Sequence, residues 1–174
     1  IEVERSLRVL DGAVAVFSAV DGVQPQSETV WRQADRHGVP RIAFVNKMDR
    51  PGADFDRVLA HLRDRLGVEP WALGVPLGEP GTFDGWVDLV ERSVVTWTDD
   101  GETVRRAWTD DEALHHRDAR QRLIEAVAGH DDALAEAWLD ECPIDDALLR
   151  DALRRATLAG AGVPVLAGSA IRNR

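Results

Sequence analysis

Residues Arg41–Asp49 read RIAFVNKMD, five mostly apolar positions running straight into an asparagine, a lysine, a methionine and an aspartate. The apolar run is short and rich in β-formers, as in a strand buried inside a sheet. A similar run, AVAVFSAV over residues 13–20, lies upstream between Asp11-Gly12 and Asp21-Gly22, and it too reads as a strand buried on both faces. Between the two runs, Pro25 suits the first turn of a helix reaching about His37, with Gly38 as its stop. Downstream, Asp54 can cap a helix whose Phe55, Val58, Leu59, Leu62 and Leu66 share one face, with Gly67 after it. Strand, helix, strand, helix in this rhythm predicts an α/β fold with a parallel sheet.

Upstream of these, Val3, Leu7, Val9 and Leu10 give a partly helical pattern stopped by Asp11-Gly12. After Pro70 the texture changes. WALGVPL, GWVDLV, SVVTW and TVRRAW are short strand-like runs separated by Gly-Glu-Pro-Gly and Asp-Asp-Gly turns, which predicts an antiparallel piece. From Asp110 to about Gly160 the chain reads as helical and acidic, with a break near Cys142-Pro143. VPVLA, residues 163–167, returns to a short buried strand and leads into Gly168-Ser169-Ala170. The expected organisation is therefore one α/β unit, residues 1–70 and 161–174, interrupted by an α+β subdomain over 71–160.

Composition narrows the function. In 174 residues, 44% are hydrophobic and 30% charged, a globular balance. The net charge of −10 disfavours direct, non-specific binding to nucleic acid. One cysteine, Cys142, excludes an internal disulfide and a cysteine-rich metal site. It fits a reducing, cytoplasmic setting. No apolar run approaches the ~20 residues of a membrane span, and the chain opens on no secretion signal. Ile1–Arg5 reads as the middle of a helix, and Arg172-Asn173-Arg174 stops within a loop. Both ends read as those of an excised segment, which is expected to fold poorly alone because a sheet lacking its first strands leaves an open edge.

Two segments carry chemistry. Asn46-Lys47-Met48-Asp49 stands at the C-terminal end of a strand, where open α/β sheets bind ligands. Its composition suits guanine. The Asp49 carboxylate can accept from the ring N1–H and the exocyclic amine, a donor pair that adenine lacks. Asn46 offers an amide to base acceptors and neighbouring loops, and the Lys47 stem can lie along the base. Alone, the tetrapeptide is a modest signal that a polar strand-end turn also explains. Gly168-Ser169-Ala170 is weaker still, an ordinary loop by itself. Paired with the first segment it completes a constellation: the Ala170 N–H can donate to the guanine O6 and the Ser169 hydroxyl can brace Asp49. His115 and His116 read as a solvated face and not a metal site. The six tryptophans read mostly as core, and the acidic pairs as helix caps. Within these residues there is no GxxxxGK[ST] phosphate loop and no strand-end Asp-x-x-Gly before the first helix. Nothing here is suited to hold phosphates or magnesium.

The longer stretches resemble bacterial translation elongation factor G. Glu2–Gly12 (EVERSLRVLDG) resembles its switch helix, Gly22–Ala34 (GVQPQSETVWRQA) the helix after its next strand, Pro40–Arg50 (PRIAFVNKMDR) its guanine-specificity segment, and Gly168–Ala170 its last base-contacting loop. The resemblance is weakest over about 98–161. It implies a partial P-loop GTPase-type domain, lacking the phosphate-loop part, with the inserted subdomain that family carries between these motifs. It further implies GTP or GDP as ligand, with Asn46, Lys47, Asp49, Ser169 and Ala170 at the base. Mg2+ is implied for the full factor only, where the phosphate loop and the catalytic residues lie outside this stretch. The expected whole is a monomeric, cytoplasmic, ribosome-dependent GTPase that promotes translocation of tRNA and mRNA and meets the ribosomal stalk protein, with no membrane partner. A non-hydrolysing ribosome- or stalk-binding module is the other reading of the same features.

Overall fold

A computed structural model describes residues 2–98 and 100–174, with the side chains of residues 2–4 left out. Asp99 in the expected Asp-Asp-Gly turn, and the side chain of Val3 in the expected apolar stripe, lie outside the described residues. The order begins with α1 (Glu2–Leu7), β1 (Ala13–Ser18), α2 (Pro25–Arg36), β2 (Arg41–Asn46) and α3 (Phe55–Leu66). Five short strands follow: β3 (Pro70–Ala72), β4 (Gly74–Leu77), β5 (Gly85–Asp88), β6 (Ser93–Trp97) and β7 (Thr103–Ala107). Three helices, α4 (Asp110–Ala128), α5 (Asp132–Leu139) and α6 (Asp146–Leu158), precede β8 (Val163–Ala167) and a 3-10 turn at Ala170–Arg172.

Local signals act where expected. Pro25 opens α2 and Gly38 follows it at positive φ. Asp54 accepts from the Arg57 N–H at 2.8 Å to cap α3, and Gly67 ends it in the left-handed region. Thr109 and Glu112 form a reciprocal capping box on α4, while Asp131 and Asp145 cap α5 and α6. The acidic stretch breaks twice, around Gly129–Asp131 as well as near Pro143.

The strands form two sheets. One is wholly parallel, in the order β1-β2-β8-β3; the other is an antiparallel meander, β4-β5-β6-β7. Two details differ from the sequence reading. β1 is not buried on both faces: it ends at Ser18, and Val14 and Val16 are 60% and 59% exposed while Phe17 is buried. Among the described residues β1 pairs only with β2, so its other edge is open. WALGVPL is not one antiparallel run but is shared by both sheets. Trp71 and Ala72 pair with β8, so the parallel sheet continues past residue 70. Leu73 is the junction, its N–H donating to Val165 of β8 and its carbonyl accepting from Leu89 beyond β5.

Packing joins the two sheets. Phe83, Trp86 and Val95 of the antiparallel region share one apolar core with Met48, Phe55, Val58 and Val165 of the parallel region. Phe55 and Trp86 meet edge to face, with ring centres 5.8 Å apart. A second core lies under α4–α6, around Trp71, Leu89, Val127, Leu134 and Leu149. Arg120 is buried beside it, donating to the carbonyls of Leu89, Val90 and Ile144 and pairing with Asp146 at 3.0 Å. The tryptophans are core or near-core: Trp31, Trp71 and Trp86 are buried, while Trp97, Trp108 and Trp138 are partly buried.

Candidate guanine site

Strands β2 and β8 are neighbours in the sheet, with Val45 in register with Ala167, although the whole antiparallel meander and the three helices α4–α6 intervene in the chain. Their C-terminal ends therefore bring Asn46–Asp49 and Gly168–Ala170 side by side. The backbone knits the two turns: the Gly168 N–H donates to the Val45 carbonyl at 2.9 Å and the Met48 N–H to the Gly168 carbonyl at 3.2 Å. Gly168 is required by closeness, because a Cβ there would meet the Phe44 ring at 2.5 Å and the Arg174 carbonyl at 2.6 Å. Lys47 turns the chain at φ 66°, and the Asn46 side chain supports that turn by accepting the Lys47 N–H at 2.8 Å.

Side chains complete the junction. The fully buried Ser169 donates its hydroxyl to Asp49 Oδ1 at 2.6 Å. This is the bracing contact expected from the sequence. Asn46 Oδ1 accepts the Ala170 N–H at 3.0 Å. The Ala170 N–H, expected to face the guanine O6, is thus committed to Asn46 in this structure. Lys47 is exposed. The Ser169 hydroxyl, above all, holds the Asp49 carboxyl below the ordinary carboxylate range; burial opposes this, and the Asp49 N–H, Arg172 and Arg50 add to it. Asp49 is therefore ionised near neutrality, as an acceptor of two donors must be.

Sequence reasoning missed three contributors. Arg172 pairs its Nε with Asp49 Oδ2 at 3.2 Å. Arg57, in the first turn of α3, donates to the carbonyls of Ala19 at 3.1 Å, Val20 at 2.7 Å and Gly52 at 3.1 Å, tying together the loops that flank the site. The antiparallel region comes close behind both turns: the β4–β5 connection runs so near Arg50 that a Cβ on Gly81 would stand 3.1 Å from its carbonyl, and the Arg174 guanidinium lies 5.7 Å from the Trp97 ring centre. No pattern in the sequence marks these residues, since each acts through tertiary proximity. A cavity of about 990 Å3 lies between α3, α4 and the Gly78–Gly81 turn and reaches Met48, Gly52 and Arg57 beside the site. Among the described residues no group of three or more metal-ligating side chains occurs, and His115 meets His116 edge to face on α4.

A parallel sheet with paired polar turns at adjacent strand ends, one carrying a braced aspartate, has the form of a ligand-binding α/β domain. The comparisons agree. The family described as "Elongation factor Tu GTP binding domain" matches residues 1–174, and the chain belongs to it. It is 49% identical over 177 residues to "Elongation factor G 2" of Syntrophus aciditrophicus (strain SB), covering 100% of this chain and 26% of that protein. It also matches a crystal structure of a protein from Thermus thermophilus with a TM-score of 0.83 and 29% identity, over 99% of this chain and 26% of the other. The chain thus spans about a quarter of the length of these relatives, and it is similar to the corresponding part of elongation factor G.

Proposed function

We propose that this chain supplies guanine recognition to a ribosome-dependent GTPase that promotes tRNA and mRNA translocation in the cytoplasm. Residues 1–70 and 161–174 form its base-binding part and 71–160 its inserted subdomain, with Trp71 and Ala72 shared by the parallel sheet. The observation that carries this is the Ser169–Asp49 hydrogen bond, which joins two turns 120 positions apart into one site. Asp49 would accept the base N1–H and 2-amino group, Lys47 would lie along the ring, and Asn46 would hold the two turns together. For the Ala170 N–H to reach O6, it would exchange Asn46 for the base. The phosphates and Mg2+ would be held by other parts of the full factor, so hydrolysis belongs to the whole.

The residues present fit a guanine ring: the carboxylate is buried, ionised and braced, and it stands at the strand ends. The test is a titration of the full-length protein with GDP, IDP and ADP. IDP lacks the 2-amino group, and losing one hydrogen bond to a charged acceptor, about 1.5 kcal/mol, predicts binding about tenfold weaker than GDP. ADP offers no matching donor pair and should bind at least about a hundredfold weaker still. Equal affinities would remove the base-reading role. A second reading, a non-hydrolysing module that docks on the ribosome or its stalk, is favoured by the acidic helical layer, where Leu114 and Leu139 are 67% and 79% exposed. Ribosome-stimulated GTP hydrolysis by the full-length protein decides between the two.

A further inference from the structure

The hydrogen-bonding atoms that guanine recognition needs at this site are already paired within the chain. Asp49 Oδ1 accepts from Ser169 at 2.6 Å, Asn46 Oδ1 accepts from Lys47 and Ala170, and Asp49 Oδ2 faces Arg172 Nε at 3.2 Å. The first two contacts build the site. The third differs in kind. Arg172 sits on the exposed 3-10 turn after Ser169, with a side chain 52% exposed, while the Asp49 side chain is 5% exposed. Its guanidinium is planar and carries N–H donors in one plane, the same donor pattern that guanine presents through N1–H and its 2-amino group. Arginine and base therefore both direct an N–H at Asp49 Oδ2.

Resting on the guanine reading of Asp49, we propose that Arg172 competes with the base for Asp49 Oδ2 and must swing out before guanine binds. The backbone allows this without unfolding the turn. The Arg172 N–H donates to the Ser169 carbonyl at 3.1 Å, and Ser169 and Arg174 exchange a pair of backbone hydrogen bonds, so the loop is held by its main chain while the side chain stays free to move. The competition has two effects. It neutralises a buried carboxylate that is otherwise costly to leave unpaired. It also lowers apparent affinity by the fraction of molecules in which the pair is open. Every base that uses Asp49 Oδ2 meets the same opening step, so the competition weakens GDP and IDP by one common factor.

The test uses the full-length protein, with GDP and IDP titrations and stopped-flow association of a fluorescent GDP analogue. Arg172→Ala keeps the backbone bonds and removes the competitor. Binding of GDP should tighten about two- to fivefold, chiefly through a faster association rate, because an ion pair with one exposed partner contributes modestly. The gap between wild type and variant should shrink near 1 M salt, where screening acts over about 3 Å. The GDP-over-IDP preference should stay the same in the variant, because both ligands meet the same opening step. Arg172→Lys, which retains a cation without the planar donor set, should lie between the two. In an Asp49→Asn background, tested with xanthosine diphosphate, removing Arg172 should change nothing. Unchanged or weaker GDP binding by Arg172→Ala, or a gap that persists in high salt, overturns the proposal. If Asp49→Asn itself leaves GDP binding intact, the guanine reading fails instead, and the two failures are told apart.

Discussion

Replacing Ser169 with alanine removes one hydroxyl from a fully buried position and leaves almost no cavity, so its effect isolates a single hydrogen bond. That bond, 2.6 Å from Ser169 to Asp49 Oδ1, ends on an ionised acceptor. Such bonds contribute about 1.5–3 kcal/mol. Arg172 and the Asp49 N–H still support the carboxylate, which places Ser169→Ala at the low end, about 1.5 kcal/mol. Part of that loss appears as a carboxylate freed to leave the base-reading orientation, so GDP affinity in the full-length protein should fall up to about tenfold. The pH dependence gives a second readout. Asp49 has a depressed folded pKa, with Ser169 the largest cause, so its contribution is complete above the ordinary aspartate range and is lost as pH falls through the folded value. Without the hydroxyl that value rises, and acid loss of binding begins at higher pH. Calorimetric titration of GDP from about pH 7 downward reads both. Unchanged affinity at neutral pH together with an unchanged acid limb would refute the reasoning.

Other expectations follow from the same contacts. The Arg106 guanidinium, then the Thr109 N–H, brings Glu112 down to about 2, so its support of the α4 N-terminus is complete above about 4.5 and lost as pH falls toward 2. Protection of the first-turn amides of α4, measured as exchange relative to the intrinsic rate at each pH, should fall over that window, and Glu112→Ala should remove that fall. Arg120→Ala strands three carbonyls, those of Leu89, Val90 and Ile144, and should destabilise the helical layer by about 3 kcal/mol, measured by exchange of the α4–α6 amides. Arg92, which also contacts Asp146 at 2.9 Å, keeps that carboxylate from being left alone.

Much of the fold is legible in the sequence because local chemistry and fold agree. Pro25, Asp54 and Gly67 mark the helices they border, and the rhythm of RIAFV and VPVLA gives two strands of one sheet. The bond from Ser169 to Asp49 is legible too, because each residue lies just after its own strand. Other features are hidden for physical reasons. An apolar run reports that its residues are hydrophobic, not which face is covered, so Val14 and Val16 read as buried and are exposed. In WALGVPL a lone Gly74 after Leu73 does not say that the chain changes sheets, because it leaves one for the other while remaining extended. Arg172 and Arg120 are ordinary arginines in sequence, and only the fold brings one to Asp49 and the other beneath Leu89.

The central claim is that Asp49 reads the guanine base, and the Asp49→Asn exchange in the full-length protein tests it most directly. The amide presents a donor where the carboxylate accepts, which suits xanthine, whose ring carries a carbonyl in place of the guanine 2-amino group. The account predicts that GDP binding weakens by about a hundredfold, from the loss of two charge-assisted hydrogen bonds of about 1.5 kcal/mol each, while xanthosine diphosphate binding strengthens. A variant that keeps its preference for GDP over xanthosine diphosphate would contradict the account.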